Sequence, residues 1–225
     1  INGNGKKLTY TGSDRAITVE NTANGANLTI NDLTVEAPNA ERGINYNTTG
    51  SLVLNNVDVT AKMYAVNLPG SSIGANVSIT DSELTGKNTL NIWGENAVVN
   101  VTNTVITTKD GTPSEDYAAV ILNYMAEGAV VTINGGKLIA ADNSAATVNG
   151  TATGVFNVSD STVIDGAIRD IVAYIGFAGY DNLQEALDDA AKTGATIELI
   201  RDVETSEVLM INGNVTINGN GNTFT

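Results

Sequence analysis

The chain has 225 residues, of which 16% are charged, and its 25 acidic residues against 11 basic ones give a formal net charge of −14. A surface this acidic repels phosphate backbones and anionic lipid headgroups, so neither nucleic acid nor a membrane surface is expected as a partner. The sequence has no cysteine and no histidine, which excludes disulfides, Ser-His-Asp and Cys-His catalysis and imidazole metal sites. Its longest apolar stretch, 171–179, is far shorter than the roughly 20 residues that span a bilayer, so no membrane insertion is expected.

Along the chain, an apolar–polar–apolar triplet followed by two small polar residues recurs every 22 to 32 residues. A second strand is expected after each triplet, and a third short run lies between copies, for example at 43–46 and 65–68. Three short strands and three turns per repeat predict one coil of a solenoid. The triplets are 28–30, 52–54, 77–79, 99–101, 131–133 and 156–158.

The triplets also predict which side chains form the core of the coils. Period-two alternation places Leu28 and Ile30 inside and Thr29 outside. A lone coil buries too little apolar surface to fold, so the coils must stack on one another. Crossovers between parallel strands prefer the right hand. We therefore expect an all-β fold, a right-handed single-stranded parallel β-helix, over residues 1–167.

The residue two places after each triplet is always Asn, Asp or Gly. These residue types tolerate a left-handed backbone, which a sharp bend between two strands often needs. This column of bend residues is the strongest signal in the sequence, and it explains the aspartates without a catalytic or metal-binding role, the alternative reading. The column consists of Asp32, Asn56, Asp81, Asn103, Gly135 and Asp160.

Two acidic residues stand at equivalent positions in consecutive coils. Asp58 and Glu83 each lie four residues past a triplet, so their backbones are expected about 4.8 Å apart with both side chains facing outward. Such a pair suits a retaining glycosidase, or, together with Asp81, a calcium site. The alternative is a pair of solvated surface carboxylates. Calcium is the one cofactor that the sequence suggests.

Three aromatic residues lie near the third strand of successive coils. Tyr64, Trp93 and Tyr124 are candidates for a strip on which sugar rings stack, and alternation places Trp93 outside because Ile92 faces inward. The alternative is partial burial of these rings under neighbouring loops. The longer loop at 107–117, with a turn at 110–113, is the expected place for a contact specific to this protein.

Residues 168–225 break the pattern and are expected to form a cap or connector. A helix at about 181–192 is predicted, with Asp181 as its N-cap, Gln184 completing a capping box and Gly194 ending it. Strands are expected to follow at 196–200, 208–211 and 215–217. A helix leading into such strands is typical of a plug over the open end of a β-helix core.

The pentapeptide Ile-Asn-Gly-Asn-Gly occurs twice, at 1–5 and at 217–221. Both copies fall at the same point of a coil. This repetition indicates a tandem array, in which the chain corresponds to one period of 216 residues (217 − 1) and contacts neighbouring modules.

The segment 179–187, which reads Gly-Tyr-Asp-Asn-Leu-Gln-Glu-Ala-Leu, and the run 196–200 resemble the N-terminal cap of pectin-lyase-like β-helix proteins. The continuation at 215–221 is similar to repeat modules of large surface proteins of gut bacteria. The resemblance implies a secreted or cell-surface location. Polygalacturonase-like hydrolases carry a histidine that this chain lacks, and pectate lyases set a basic residue beside clustered aspartates. None of the four arginines here lies in a repeat strand beside an acidic cluster, which argues against lyase activity.

Two functions remain open from the sequence. The first is a non-catalytic structural or adhesive module of a secreted or bacterial surface protein, with host or bacterial glycans or surface proteins as partners. The alternative is a β-helix that binds or degrades polysaccharide, which requires a groove with acidic or aromatic residues grouped on one face.

Overall fold

The computed structural model describes residues 1–22, 24–109 and 117–225, where the chain forms 22 strands and one helix. The turn expected at 110–113 lies outside the described residues. The elements in chain order are β1 (Asn2–Thr9), β2 (Arg15–Val19), β3 (Leu28–Ala37), β4 (Arg42–Tyr46), β5 (Ser51–Ala61), β6 (Tyr64–Leu68), β7 (Asn76–Thr80), β8 (Glu83–Gly86), β9 (Leu90–Ile92), β10 (Val98–Thr102), β11 (Val105–Thr108), β12 (Ala118–Leu122), β13 (Val130–Asn134), β14 (Lys137–Ile139), β15 (Ala145–Asn149), β16 (Val155–Val158), β17 (Val163–Asp165), β18 (Ala167–Asp170), β19 (Ala173–Ile175), β20 (Ala178–Tyr180), α1 (Leu183–Thr193), β21 (Thr196–Leu199) and β22 (Thr216–Asn218).

Most of these strands belong to a parallel solenoid of about six turns. The first sheet has 11 strands, in the order β16-β13-β10-β7-β5-β8-β11-β14-β17, with β3 and then β1 also joined to β5. The second sheet has seven, in the order β18-β15-β12-β9-β6-β4-β2. The strand β5 is long enough to pair with β7 in its first half and with β8 in its second. The predicted all-β parallel solenoid with one short helix is therefore confirmed.

The core of the solenoid consists of the apolar residues of the triplets, stacked coil on coil. Leu28 pairs in register with Leu52, and Leu52 pairs with Val77. Ile30 is completely buried and Thr29 is exposed, as alternation predicts. Each buried CH₂ contributes about 0.8 kcal/mol, so a ladder of Leu, Ile and Val that runs through the coils is the main source of stability.

The column of bend residues adopts the left-handed backbone at five of its six positions. The φ angles are 53° at Asp32 and at Asn56, 49° at Asp81, 47° at Asn103 and 71° at Gly135. In the first sheet this bend separates the two strands of a coil, as predicted.

Asp160 is the exception, and the prediction of a left-handed bend there is wrong. Its φ is not positive. One extra residue separates Val158 from the next strand, and the backbone closes a wider turn in which the amide of Thr162 donates to the carbonyl of Ser159 at 2.9 Å. The longer connection removes the need for a left-handed residue.

The predicted boundary between coils and cap at 167/168 stays a prediction. The strand β18 pairs with β15 and still belongs to the second sheet. A third sheet, in the order β20-β19-β21-β22, begins after it. Among the described residues, no helix has the length and apolar character needed to cross a bilayer.

The helix α1 begins two residues later than expected. Its N-cap is Asn182, whose side chain accepts a hydrogen bond from the Gln184 amide at 2.8 Å. Asp181, the predicted cap, instead forms an ion pair with Arg169 at 2.8 Å, because it lies one residue too early to reach the first turn. Gly194 ends the helix with φ 70°, as predicted.

The predicted strand at 208–211 does not form. Instead, the backbone of Met210 is fixed by the side chain of Gln184, which both donates to its carbonyl and accepts from its amide at 2.8 Å. These bonds also replace the predicted capping box. The predicted strands at 196–200 and 215–217 form as β21 and β22, within one residue of their expected ends.

The apolar face of α1 packs on the third sheet. Ala186 and Leu187 are buried in a cluster with Ile197 and Leu199 that is separate from the core of the coils. The helix therefore covers a core that begins with the third sheet. The predicted role of 168–225 as a cap or connector stays a prediction.

Candidate functional site

The outer face of the second sheet carries a ladder of asparagine side chains. Asn67 donates to the side-chain oxygen of Asn45 at 2.7 Å, Asn91 donates to Asn67 at 2.6 Å, and Asn123 donates to Asn91 at 2.7 Å. Asn45 donates to the Thr18 hydroxyl at 3.3 Å. Because each amide is both donor and acceptor, the ladder satisfies polar side chains that are nearly fully buried in the middle of the sheet.

Along the same row, the floor of this face becomes apolar toward the later coils. Ile121 pairs in register with Asn91 on one side and with Val148 on the other. Both aliphatic side chains belong to a third buried cluster that includes Ile171 and packs against Tyr174. The outer row of the second sheet thus changes from buried amides at one end to buried aliphatic side chains at the other.

Four aromatic rings form a wall beside the apolar floor. The ring of Tyr124 meets Trp93 edge-on, with centroids 5.4 Å apart. It also meets Tyr174 at 6.3 Å and Phe177 at 6.0 Å. The hydroxyl of Tyr174 donates to the Gly150 carbonyl at 2.9 Å, which fixes one side of the cluster. Phe177 is 82% exposed and Tyr124 is 40% exposed, so the wall presents ring surface to solvent.

The wall and the floor enclose a groove of about 440 Å³. Its opposite side is formed by Asn88 and Tyr117. Lys87 lies over the Tyr117 ring, with its ammonium 4.9 Å from the ring centroid. The side chain of Asn88 accepts from the amide of Ala118 at 2.9 Å, which holds this side close to β12.

A second depression, of about 200 Å³, adjoins the first and shares Trp93 with it. Its floor includes Asn67 and Asn91, and its far wall is formed by Tyr64 and Arg42. The Arg42 guanidinium lies 5.5 Å from the Tyr64 ring centroid. Burial raises the pKa of the Tyr64 hydroxyl above its usual value, so this group is a neutral hydrogen-bond donor at physiological pH.

The predicted aromatic strip is therefore brought to one face. Tyr64 begins β6, Trp93 follows β9 and Tyr124 follows β12. Tyr64 and Trp93 are half-buried, and Tyr124 is exposed. Tyr64 and Trp93 line the smaller depression, and Trp93 and Tyr124 line the larger one. Stacking of sugar rings on this strip stays a prediction.

Two members of the wall were missed by the sequence reasoning. Tyr174 and Phe177 lie in the segment assigned to the cap, where the hairpin between β19 and β20 folds back toward β12. A local signal was present, because Gly176 with φ 60° followed by Phe177 forms a two-residue hairpin turn. Nothing in the sequence indicates the long-range contact with Tyr124.

The predicted metal ligands lie on the first sheet, away from this groove. Asp58 and Glu83 pair in register on β5 and β8, and both side chains are exposed, as is that of Asp81. Within the described parts of the chain, no group of three or more acidic, cysteine or histidine side chains is placed to hold a metal ion. The calcium site therefore stays a prediction that rests on this pair. The φ of 49° at Asp81 agrees with its role as a bend residue.

No family model matches the chain, and neither the curated proteins nor the solved structures include a significant match to it. Its class is defined by its own fold, a parallel β-solenoid with one short helix near the C-terminus. The resemblance to pectin-lyase-like proteins and to bacterial surface modules stays a prediction.

Proposed function

We propose that this protein is a non-catalytic adhesive module of a secreted or bacterial surface protein, and that it binds a neutral polysaccharide in the groove of the second sheet. The observation that carries the proposal is the cluster of Trp93, Tyr124 and Phe177 around a groove of about 440 Å³. Sugar rings present apolar C–H faces that pack on aromatic rings, and their hydroxyls pair with amide side chains such as that of Asn123.

The shape of the site favours an extended ligand. The larger depression alone lies within the range of about 300–1,000 Å³ that is typical of small-molecule sites. Through Trp93 it continues into the smaller depression, where Tyr64 offers a further ring above a floor that includes Asn91. A polymer of several sugar units uses both depressions, whereas a single sugar fills only part of one.

The charge of the protein favours a neutral polymer. The chain carries a net charge of −14, which disfavours the approach of uronic-acid or sulfated chains at low ionic strength. Arg42 is the one charged residue among those that line the two depressions in the described structure. It pairs with Glu41 at 3.1 Å, which reduces its availability to an anionic ligand.

The lining of the groove also supports binding rather than hydrolysis. Glycosidases use two carboxyl groups that flank the scissile bond. Among the described residues that line the two depressions, none is an aspartate or a glutamate. The Asp58–Glu83 pair lies on the first sheet, so it does not face a ligand in this groove.

Calorimetric titration of the whole chain with neutral polymers (a β-glucan, a mannan and a xylan), and with polygalacturonate for comparison, tests the proposal. We expect binding to at least one neutral polymer, and loss of at least about tenfold in affinity for Trp93→Ala, since about 1.4 kcal/mol corresponds to a factor of ten. The matched control is Phe224→Ser, which removes an aromatic ring that is 52% exposed outside the groove and should leave the affinity unchanged.

Two outcomes contradict the proposal. The adhesive function in this groove is wrong if none of the neutral polymers binds, or if Trp93→Ala binds as tightly as the unsubstituted chain. The protein is an enzyme instead if it releases new reducing ends or unsaturated sugars from any of the polymers. A reducing-sugar assay detects the first product, and ultraviolet absorbance detects the second.

A further inference from the structure

The repetition in the sequence is also a repetition in structure. Residues 1–9 and 217–225 are identical at six of nine positions. Asn4 and Gly5 have φ angles of 51° and 69°, and their equivalents Asn220 and Gly221 have 50° and 85°. In both copies the first asparagine side chain accepts from the amide two residues on, at 3.3 Å in one and 3.2 Å in the other. The two segments therefore share the backbone conformation of their Asn-Gly pair and the side-chain hydrogen bond before it.

The two copies pair through opposite edges. The first copy pairs with the strand that follows it in the chain, since the amide of Tyr10 donates to Glu36 at 2.9 Å. The second copy pairs with the chain that precedes it, since the amide of Thr225 donates to Val203 at 3.0 Å. Thr225 corresponds to residue 9, and in a parallel ladder successive residues direct their backbone groups to alternate edges. Residues 1–9 therefore leave unpaired the edge that faces a preceding strand, and residues 217–225 leave unpaired the edge that faces a following strand.

An apolar groove of about 330 Å³ lies beside the second copy. Ile217 is 43% exposed and Phe224 is 52% exposed. In the first copy the position of Phe224 is taken by Leu8, which pairs in register with the fully buried Val35 of β3. The residues that line this groove are all apolar: Leu183, Leu187, Leu199, Leu209, Ile211, Ile217 and Phe224.

We propose that residues 172–225 form the cap and first strand of a further coil stack, and that the occupant of the apolar groove is a second copy of this chain. Residues 10–37 of the neighbouring chain pack against the groove, and residues 217–225 of the first chain serve as the first strand of the neighbouring coils. The β3 of the neighbouring chain then pairs with the free edge of residues 217–225, and its Val35 lies in register with Phe224 as it lies in register with Leu8 here. The contact is head-to-tail, so it extends a solenoid rather than closing a symmetric dimer.

This arrangement accounts for the position of α1. The helix covers the core of the third sheet rather than that of the preceding coils. A solenoid needs a cover at each end of its core, and α1 with β21 lies on the preceding side of the second nine-residue segment. In this arrangement, each chain carries at its C-terminal end the cap that covers the first coil of the next chain.

Two tandem proteins test the proposal. In the first, residues 1–225 are followed directly by residues 10–225, which fuses the second copy in register. In the matched control, two complete copies are joined by a flexible Gly/Ser linker, so that the second copy has its own first strand. Hydrogen exchange followed by mass spectrometry measures the backbone amides of 216–225 in the first unit of each protein.

We expect exchange in 216–225 to be at least about tenfold slower in the fused protein than in the linker protein, because only there is the second edge paired. Phe224→Asp should remove this protection in the fused protein and have little effect in the linker protein. Equal exchange in the two proteins overturns the proposal. So does a fused protein whose second half stays unfolded by circular dichroism while the linker protein folds. Glycan binding is measured on the single chain, so neither result bears on the proposed function.

Discussion

Phe177 packs against Tyr124 with ring centroids 6.0 Å apart, although the first lies at the tip of a hairpin in the third sheet and the second follows a strand of the second sheet. This contact joins the two parts of the aromatic wall. Phe177 is 82% exposed, and a ring with so little burial contributes little to folding. Under the proposed function, its exposed face is available to a bound sugar.

The first prediction separates binding from stability at this position. We expect Phe177→Ser to change the free energy of unfolding by less than about 0.5 kcal/mol, as is usual for exposed sites, and to weaken polysaccharide binding several-fold. Urea unfolding and calorimetric titration measure the two effects. Val208→Ser is the matched control, since Val208 is equally exposed but lies outside the groove. Unchanged affinity in Phe177→Ser removes this residue from the site.

Much of the fold was predictable because its causes are local. Asp32, Asn56 and Asp81 mark bends that few other residue types tolerate, and the apolar triplets before them can bury their side chains only on one face. The exception at Asp160 depends on one additional residue in a connection, which changes the turn. Residue type alone cannot reveal this, because the bend depends on loop length as well.

A second prediction uses this exception as a control. Asp81 has a φ of 49°, and a residue with a β-carbon pays about 1–2 kcal/mol in this region unless it is Asn or Asp. We expect Asp81→Ala to lower the free energy of unfolding by about that amount and Asp81→Gly to be close to neutral. Asp160→Ala should cost less than about 0.5 kcal/mol. Equal losses for the two alanine variants, measured by urea unfolding, contradict the bend assignment.

The candidate site was only partly predictable, for a physical reason. Alternation places Asn67 and Asn91 on the outer face of their strands, but whether that face is solvated depends on loops and rings that rise beside it. Tyr174 reaches the face from the third sheet. Contacts of this kind join segments that are distant along the chain, and they leave no periodic signal in the sequence.

The asparagine ladder leads to a third prediction. Asn67 is 3% exposed, donates to Asn45 and accepts from Asn91. Asn67→Ala leaves a buried acceptor and a buried donor unpaired, and each such group costs about 1–3 kcal/mol. We expect a loss of about 2–4 kcal/mol in the free energy of unfolding, measured in urea. Asn123→Ala, at the end of the ladder, should cost roughly half as much, because it leaves only one ladder partner unpaired. A smaller loss for Asn67→Ala than for Asn123→Ala contradicts a cooperative ladder.

The last prediction concerns the ion pair between Arg169 of β18 and Asp181, which precedes α1. Arg169 donates to both carboxylate oxygens of Asp181, from Nε at 2.8 Å and from Nη2 at 3.3 Å. This hydrogen bonding from Arg169 lowers the pKa of the Asp181 carboxyl below its usual 3.8. A carboxyl with a lowered folded-state pKa contributes stability that is present above its unfolded value and lost as the pH falls through its folded value.

The sign of the pH effect follows directly. Asp181→Asn should be less stable than the unsubstituted chain by less than about 1 kcal/mol between pH 5 and pH 7, because the pair is partly exposed and screened. The difference should shrink as the pH falls from about 4 toward the lowered folded-state pKa, because over this range the unfolded chain binds a proton at this carboxyl that the folded chain does not. Arg169→Gln should show the same convergence, since it removes the other half of the pair. A stability difference that stays constant or grows down to pH 3, measured by urea unfolding, contradicts this assignment.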